Sequence, residues 1–298
     1  MQILVTAIGS MSARTICKKL QALDCFVIGT DIYPKEWQTN LKYVQKFKQV
    51  PKFNQNNFIS ELLNICKKNK VEYVFPLTDP EVDILSRNRE LFELNKITLC
   101  ISCQDTISKI RDKSKIKSNI PDFSIEELSN KSVYPIIAKP KKGRSSEGKF
   151  FIERKEQLSI IQNKREYIFQ KFIDGKIIAV DVVRDKNGNT VCVARKEHTR
   201  TSNGAGIVVE IFKDIKLENM TSEIAAEFNV LGCVNIEFIY SDNKYYLMDI
   251  NPRFSAGIGF SCAAGYNFVK NHLICFQGKH IMPLKKINLG IQYRRSEP

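Results

Sequence analysis

A change of rhythm near residue 133 constrains this chain more than any other feature. Before it, apolar segments of strand length alternate with amphipathic segments of helix length. "QILVTAI", "CFVIGTDI", "VEYVFPL" and "ITLCIS" read as strands; "SARTICKKLQAL", "NFISELLNICKKN" and "PEVDILSRNRELFE" read as helices. That alternation predicts a doubly wound parallel sheet. A lysine-rich stretch, "SKIRDKSKIKSNIP", reads as a helix ended by Pro121 that leads into the next unit. After it come "YPIIAKP", "GKFFIE", "YIFQKFI", "IIAVDVVRD" and "TVCVARKE", short strands parted by Gly, Asn or charged turns and mostly antiparallel. A helix over "MTSEIAAEFNVL", the strands "CVNIEFIYS" and "KYYLMDIN", and a helix around "NFVKNHLICFQG" complete the pattern. The fold class is therefore α/β followed by α+β, and 298 residues suit two or three subdomains.

Composition excludes several classes. No apolar run approaches the roughly 20 residues of a membrane span. "MQILVTAIGS" has no basic segment before its apolar run and reads as a first strand, not a signal peptide. Nine scattered cysteines give no disulfide framework, and the lone CxxC, Cys100 and Cys103, lacks the second pair of a zinc site. A reducing, cytoplasmic setting is the expectation. The net charge of +14 fits an anionic ligand. The basic residues run from Lys18 to Arg295 without forming a block, and no RNA-binding aromatic signature accompanies them, so no nucleic-acid partner is expected.

Three segments have phosphate-binding chemistry. "TAIGSMSARTI" follows the first strand, with Gly9 and Ser10 opening a helix and Asp31 ending the second strand. It lacks GxGxxG, which removes an NAD-linked dehydrogenase and leaves a tight turn as the simpler reading. "GRSSEGKF" fits GxxxxGK but ends in Phe150 where a Walker loop needs Ser or Thr, and the following "FFIE" reads as a strand rather than a helix. It is read instead as a hairpin tip, either a basic surface turn or a loop whose amides and Lys141, Lys142, Arg144 and Lys149 could fold over phosphates. The third is "YLMDINPRF". Asp249, Asn251 and Arg253 alternate along a strand end and share a face. If that strand pairs with "VNIEFIY", Glu237 converges with Asp249 and Asn251 on one cation, a hard-oxygen set of the kind Mg²⁺ takes, and Arg253 reaches a phosphoryl oxygen. A structural salt bridge is the alternative.

Together these segments resemble the ATP-grasp superfamily, closest to the ATP-binding module of the carbamoyl phosphate synthetase large subunit and its stand-alone relatives. "YPIIAKP" resembles the lid strand, "FQKFIDGKIIAVDVVRDKNG" the adenine-holding hinge, and "GCVNIEFIYSDNKYYLMDINPRFSAG" the magnesium hairpin. "FPLTDPEVDILSRNRELFE" resembles the preceding pre-grasp domain. The resemblance implies three units: 1–108, a Rossmann-like pre-ATP-grasp domain; 109–170, the lid lobe; and 171–298, the lobe with the metal site. It puts Lys113, Lys139, Lys141, Gly143, Ser145, Gln170, Lys171, Phe172 and Ile173 in ATP-binding positions. Glu237, Asp249 and Asn251 fall at the metal, with Asn251 and Arg253 catalytic. Arg195 and Arg200, in "ARKEHTRTSNGAG", are expected to clamp a substrate carboxylate. His198 is expected to serve structure. "RFSAGIGFSCAAGYN" is small and glycine-rich, suggesting backbone amides that cradle an acyl phosphate.

What the resemblance implies is an ATP- and Mg²⁺- (or Mn²⁺-) dependent, ADP-forming carboxylate–amine ligase for small-molecule substrates, working through an acyl phosphate. A homodimer is one expectation for its assembly. The alternative is a nucleotide-binding protein with impaired chemistry. It is supported by two departures: Ile177 where the family has a ribose-binding Glu, and Lys171 where it has a second hinge acid. The absence of carbamate and glutaminase portions argues against carbamoyl phosphate synthetase itself.

Overall fold

The computed structural model describes residues 1–120, 124, 125, 127, 133–143, 147–202, 204–290 and 292–294. The first five strands, β1 (Gln2–Val5), β2 (Phe26–Asp31), β3 (Lys46–Gln49), β4 (Tyr73–Phe75) and β5 (Thr98–Leu99), form a parallel sheet ordered β3-β2-β1-β4-β5. The helices α1 (Ala13–Gln21), α2 (Phe58–Lys68), α3 (Asp79–Arg87), α4 (Arg89–Glu93) and α5 (Gln104–Arg111) belong to the same half of the chain. Successive side chains of β1 point to opposite faces. Leu4 joins Phe58, Leu62, Val82 and Phe92 on one side, whereas Ile3 and Val5 join Ile16 and Leu20 on the other.

The chain then passes α6 (Lys113–Asn119) into a small antiparallel sheet of β6 (Ile136–Pro140), β7 (Phe150–Ile152) and β8 (Tyr167–Lys171), in the order β7-β6-β8. The larger sheet holds β9 (Lys176–Arg184), β10 (Thr190–Arg200), β11 (Gly206–Phe212), β12 (Gly232–Ser241), β13 (Lys244–Asn251) and β14 (Gln292–Arg294), ordered β13-β12-β9-β10-β11-β14. Alternate residues of β9 again divide the faces. Ile178, Val180 and Val182 pack with Leu217 and Ile224 of α7 (Ile215–Glu227). Val183 instead joins a core made with α8 (Ile258–Ala263) and α9 (Phe268–Phe276), and that core is continuous with β1 and α1.

Several elements differ from their sequence reading. The stretch 79–93 is two helices broken at Asn88, whose side chain donates to the Ile84 carbonyl at 2.8 Å. The lysine-rich stretch also breaks, at Asp112, whose carboxylate accepts from the Ser114 amide at 3.1 Å and so starts α6 afresh. α7 starts earlier than its apolar pattern suggests because Asp214 accepts from the Lys216 and Leu217 amides at 2.9 and 3.2 Å. The strands β3 and β11 were not expected. β3, "KFKQ", is an edge strand whose polar side chains suit solvent and hide the period-2 pattern. The loop "GRSSEGKF" does run between two strands, β6 and β7, which excludes a strand-to-helix Walker loop.

Candidate functional site

The candidate site grows from the β12–β13 hairpin. Its turn is Asp242–Asn243, with φ of 49° and 59°, the left-handed pair that a two-residue hairpin turn needs. From that turn the register runs Ser241↔Lys244, Tyr240↔Tyr245, Ile239↔Tyr246, Phe238↔Leu247. Continued unchanged, it would set Glu237 against Met248 and turn Asp249 to the opposite face. A bulge intervenes between Glu237 and Phe238, and the pairs become Glu237↔Asp249 and Asn235↔Asn251. The bulge thus places both carboxylates on one face, and it leaves Met248 outside the ladder. The Met248 carbonyl accepts from Lys139 Nζ of β6 at 2.9 Å.

Other cations close on the same point. Lys113 Nζ lies 3.4 Å from Asp249 Oδ1 and donates to the Gly143 carbonyl at 3.1 Å, so the linker helix touches both the hairpin and the lid loop. Arg200 Nη2 stands 3.3 Å from each Glu237 carboxylate oxygen, and its Nε is 2.7 Å from Glu197 Oε2. Arg253 donates to Asp79 at 2.9 Å, to the Asn251 amide oxygen at 3.4 Å and to the Phe254 carbonyl at 3.0 Å. Burial raises the Glu237 carboxyl, with the Arg200 charge working against it. Burial lowers the Lys139 ammonium to about 8, offset in part by Asp249 and reinforced by Lys113.

A cleft between the small sheet and the hairpin is lined by Lys113, Ile116, Ser124, Lys139, Ile168, Gln170, Leu247 and Met248. Gln170 is buried, Lys171 is exposed, and Phe172 and Ile173 are half-buried at the end of β8. Phe172 meets Phe151 edge-on at 5.0 Å. Ile177 sits opposite Ile239 on β12. The Lys141 amide donates to the Glu166 carbonyl at 2.8 Å, and its own carbonyl accepts from the Lys113 amide at 2.9 Å. Ser145 lies outside the described residues.

Not every expected residue reaches this cleft. Arg195 is 1% exposed, and its guanidinium is held by Asp181, Ser255, Ser261 and Glu197. Those donors are used internally, so the structure does not present Arg195 as a free carboxylate clamp. It also accounts for part of the glycine-rich stretch. A Cβ on Gly257 would stand 2.9 Å from Arg195 Nε, and Ser255 and Ser261 are its hydroxyl partners. Small residues here make room for a buried guanidinium, and 258–263 is helix α8. His198 pairs with Glu210 at 2.9 Å on the outer strands. The Gly9 amide donates to Asp31 Oδ2 at 2.8 Å, which closes the turn after β1 on itself. All nine cysteines are free thiols.

Two partners escaped the sequence reading, Asp79 and Glu197. For Asp79 a signal existed: it opens the helix after β4, beside the point where the strand order reverses, where open α/β sheets place functional groups.

The fit of the donor set to a divalent cation rests on the hairpin. Among the described residues no group of three or more His, Cys, Asp or Glu could hold a metal. The hairpin offers two opposed carboxylates and an amide, all hard oxygens, one of them an acid whose charge is incompletely compensated by Arg200. That suits Mg²⁺, which commonly takes one or two carboxylates and completes its shell with phosphates and water.

An α/β half, a small lid sheet and a larger sheet carrying opposed acids make up the ATP-grasp fold, and the chain has that fold. Two family descriptions divide it: "PylC-like, N-terminal domain" matches residues 3–100, and "ATP-grasp in the biosynthetic pathway with Ter operon" matches residues 163–297. The carbamoyl phosphate synthase large chain of Clostridium acetobutylicum is 21% identical over 268 residues, covering 80% of this chain and 25% of that protein. The chain spans about a quarter of the length of the first curated relatives it matches. Among solved structures, the biotin carboxylase–βγ-ATP complex from Campylobacter jejuni superposes with a TM-score of 0.79 at 15% identity, over 97% of this chain and 74% of that one. The L-amino acid ligase of Bacillus licheniformis gives 0.74 at 14% identity, over 93% and 74%. Among the described residues no helix is long and apolar enough to cross a membrane.

Proposed function

We propose that this chain is an ATP-dependent, ADP-forming ligase that joins a small carboxylic acid to an amine through an acyl phosphate. The observation that carries the reading is the opposition of Glu237 and Asp249 across the bulged hairpin, with Lys139 and Lys113 converging on it. The L-amino acid ligase among its structural neighbours supports C–N bond formation by a protein of this shape. In this reading 1–108 is the pre-ATP-grasp domain, 109–170 the lid lobe and 171–298 the lobe that carries the hairpin.

ATP occupies the cleft beside β8, with its base against Gln170, Lys171, Phe172 and Ile173. Its phosphates reach Lys139, Lys113, Lys141 and Gly143. Glu237, Asp249 and Asn251 would hold Mg²⁺ (or Mn²⁺), which supplies charge neutralisation at the β- and γ-phosphates. Arg253 balances the charge that develops as the γ-phosphoryl moves, since phosphoryl transfer depends mainly on positioning and charge. A carboxylate oxygen bonds to the γ-phosphorus as the bond to the bridging oxygen breaks, and ADP leaves. The amine nitrogen then bonds to the acyl carbon, inorganic phosphate departs and the amine gives up a proton. Arg200, beside Glu237, is the group for the substrate carboxylate, while Arg195 is held internally by Asp181, Ser255, Ser261 and Glu197.

Lys171 and Ile177 favour one competing reading, a nucleotide-binding protein without turnover. Incubation with ATP, Mg²⁺, pooled small carboxylic acids and hydroxylamine separates the two. The ligase reading expects a hydroxamate and an equal amount of ADP for some acid in the pool. Tight ATP binding with no ADP from any acid would favour the competitor.

A further inference from the structure

The geometry points to Asp79 as the residue that positions Arg253, which makes the N-terminal sheet a working part of the phosphoryl-transfer site. The inference rests on the proposed function. Arg253 has three acceptors: Asp79 Oδ2 at 2.9 Å, the Asn251 amide oxygen at 3.4 Å and the neighbouring Phe254 carbonyl at 3.0 Å. Asp79 alone among them is charged, and it lies 174 residues away in sequence. It opens α3 straight after β4 and is 4% exposed. Its other oxygen, Oδ1, takes no hydrogen bond among the described residues and stands 3.7 Å from Arg111. Burial pushes the Asp79 carboxyl up, but Arg253 and Arg111 outweigh it and hold it below the ordinary range, so it is ionised when it meets Arg253.

Arg253 has a long flexible stem, and Asp249 and Glu237 on the same hairpin are rival partners for a freed guanidinium. An arginine side chain gives up as much as ~2 kcal/mol of rotamer freedom when fixed. Asp79 fixes it before substrate arrives, so that ordering does not fall on the transition state. Arg111 extends the tie: it is 3.2 Å from Asp83, and two residues later Lys113 contacts Asp249. Asp79 touches no reacting atom and acts only through Arg253.

A double-mutant cycle on ADP release tests it. Asp79→Asn keeps shape and removes charge; kcat is expected to fall about tenfold while KM for ATP stays within about twofold. In an Arg253→Lys background the same change should lower kcat by less than about twofold, because its target is gone. Asp83→Asn loses an Arg111 partner without touching Arg253, so its kcat should stay near the parent value even if its thermal midpoint falls. Equal losses in both backgrounds, or a loss confined to KM, would overturn the inference. If the parent releases no ADP, the proposed function fails and Asp79 is read by NMR instead. In ¹⁵N-arginine protein the Arg253 Nε–H signal, assigned by its disappearance in Arg253→Lys, should be sharp in the parent and averaged in Asp79→Asn. An identical signal in both would again overturn it.

Discussion

Lys139 concentrates the residue-scale account. Its ammonium is buried, lowered by that burial, and among the described residues it donates to the Met248 carbonyl at the bulge. A phosphate in the cleft would add counter-charge to the partial compensation that Asp249 and Glu237 give. Lys139→Ala should raise KM for ATP at least tenfold, about 1.4 kcal/mol of lost binding; an unchanged KM would remove it from the site. A second prediction concerns stability. His272 is buried, its Nδ1 accepts from the Cys233 amide at 2.8 Å, and burial lowers its pKa to about 3, against a smaller raising effect of the Cys100 carbonyl. The unfolded chain takes up that proton near pH 6.5 while the fold does not, so stability is complete above 6.5 and falls as pH drops below it. The slope approaches ~1.4 kcal/mol per pH unit for one proton. Urea midpoints between pH 7 and 5 should fall in the parent and flatten in His272→Gln. The facing of Glu237 and Asp249 was legible from two neighbouring strands that each carry an acid, and Asn251 and Arg253 follow Asp249 at period 2. The partner of Asp79 was not, because Arg253 lies 174 residues away, and Glu197, which pairs with Arg195 and Arg200 on its own strand, carries no motif of its own.

At the scale of elements, one bulge decides the site. A two-residue turn fixes a register by counting, and counting sets Glu237 against Met248. Nothing in "YLMDIN" announces the extra residue, so the chemistry of the acids suggests their pairing while their spacing alone points to a different one. Helix breaks at Asn88 and Asp112 were hidden for a related reason: apolar periodicity runs through them, and only local side-chain hydrogen bonds interrupt it. The α8 segment makes the opposite point. Its glycines and serines suggested a ligand cradle, yet Gly257 is small because Arg195 fills the space a side chain would take. Gly257→Ala should therefore destabilise by about 1–3 kcal/mol, the usual cost of overpacking. The check is a lower urea midpoint at unchanged m-value; a variant as stable as the parent would show that Arg195 can move aside.

Across the whole molecule, a shared core ties the two halves together. Ile3, Val5 and Ile16 belong to one cluster with Val183, Val193, Phe254, Ile258 and Phe268. The parallel and antiparallel halves were separable by rhythm, but their common core was not, since it joins residues from opposite ends of the chain. Native-state hydrogen exchange should report it. The slowest amides of β1 and β9 should open with one common free energy, as parts of a single cooperative unit. A distinctly lower value for β1 would mean that the N-terminal sheet unfolds by itself.

In the proposed mechanism the hairpin acids organise attack on the γ-phosphorus. ³¹P NMR of a reaction with ATP, Mg²⁺ and an accepted acid and amine tests it most directly. The expected products are ADP and inorganic phosphate, with no AMP or pyrophosphate. Asp249→Asn is also expected to stay folded while turnover drops at least about a hundredfold, roughly 2.7 kcal/mol in the barrier. AMP with pyrophosphate, or an Asp249→Asn protein as active as the parent, would contradict that mechanism.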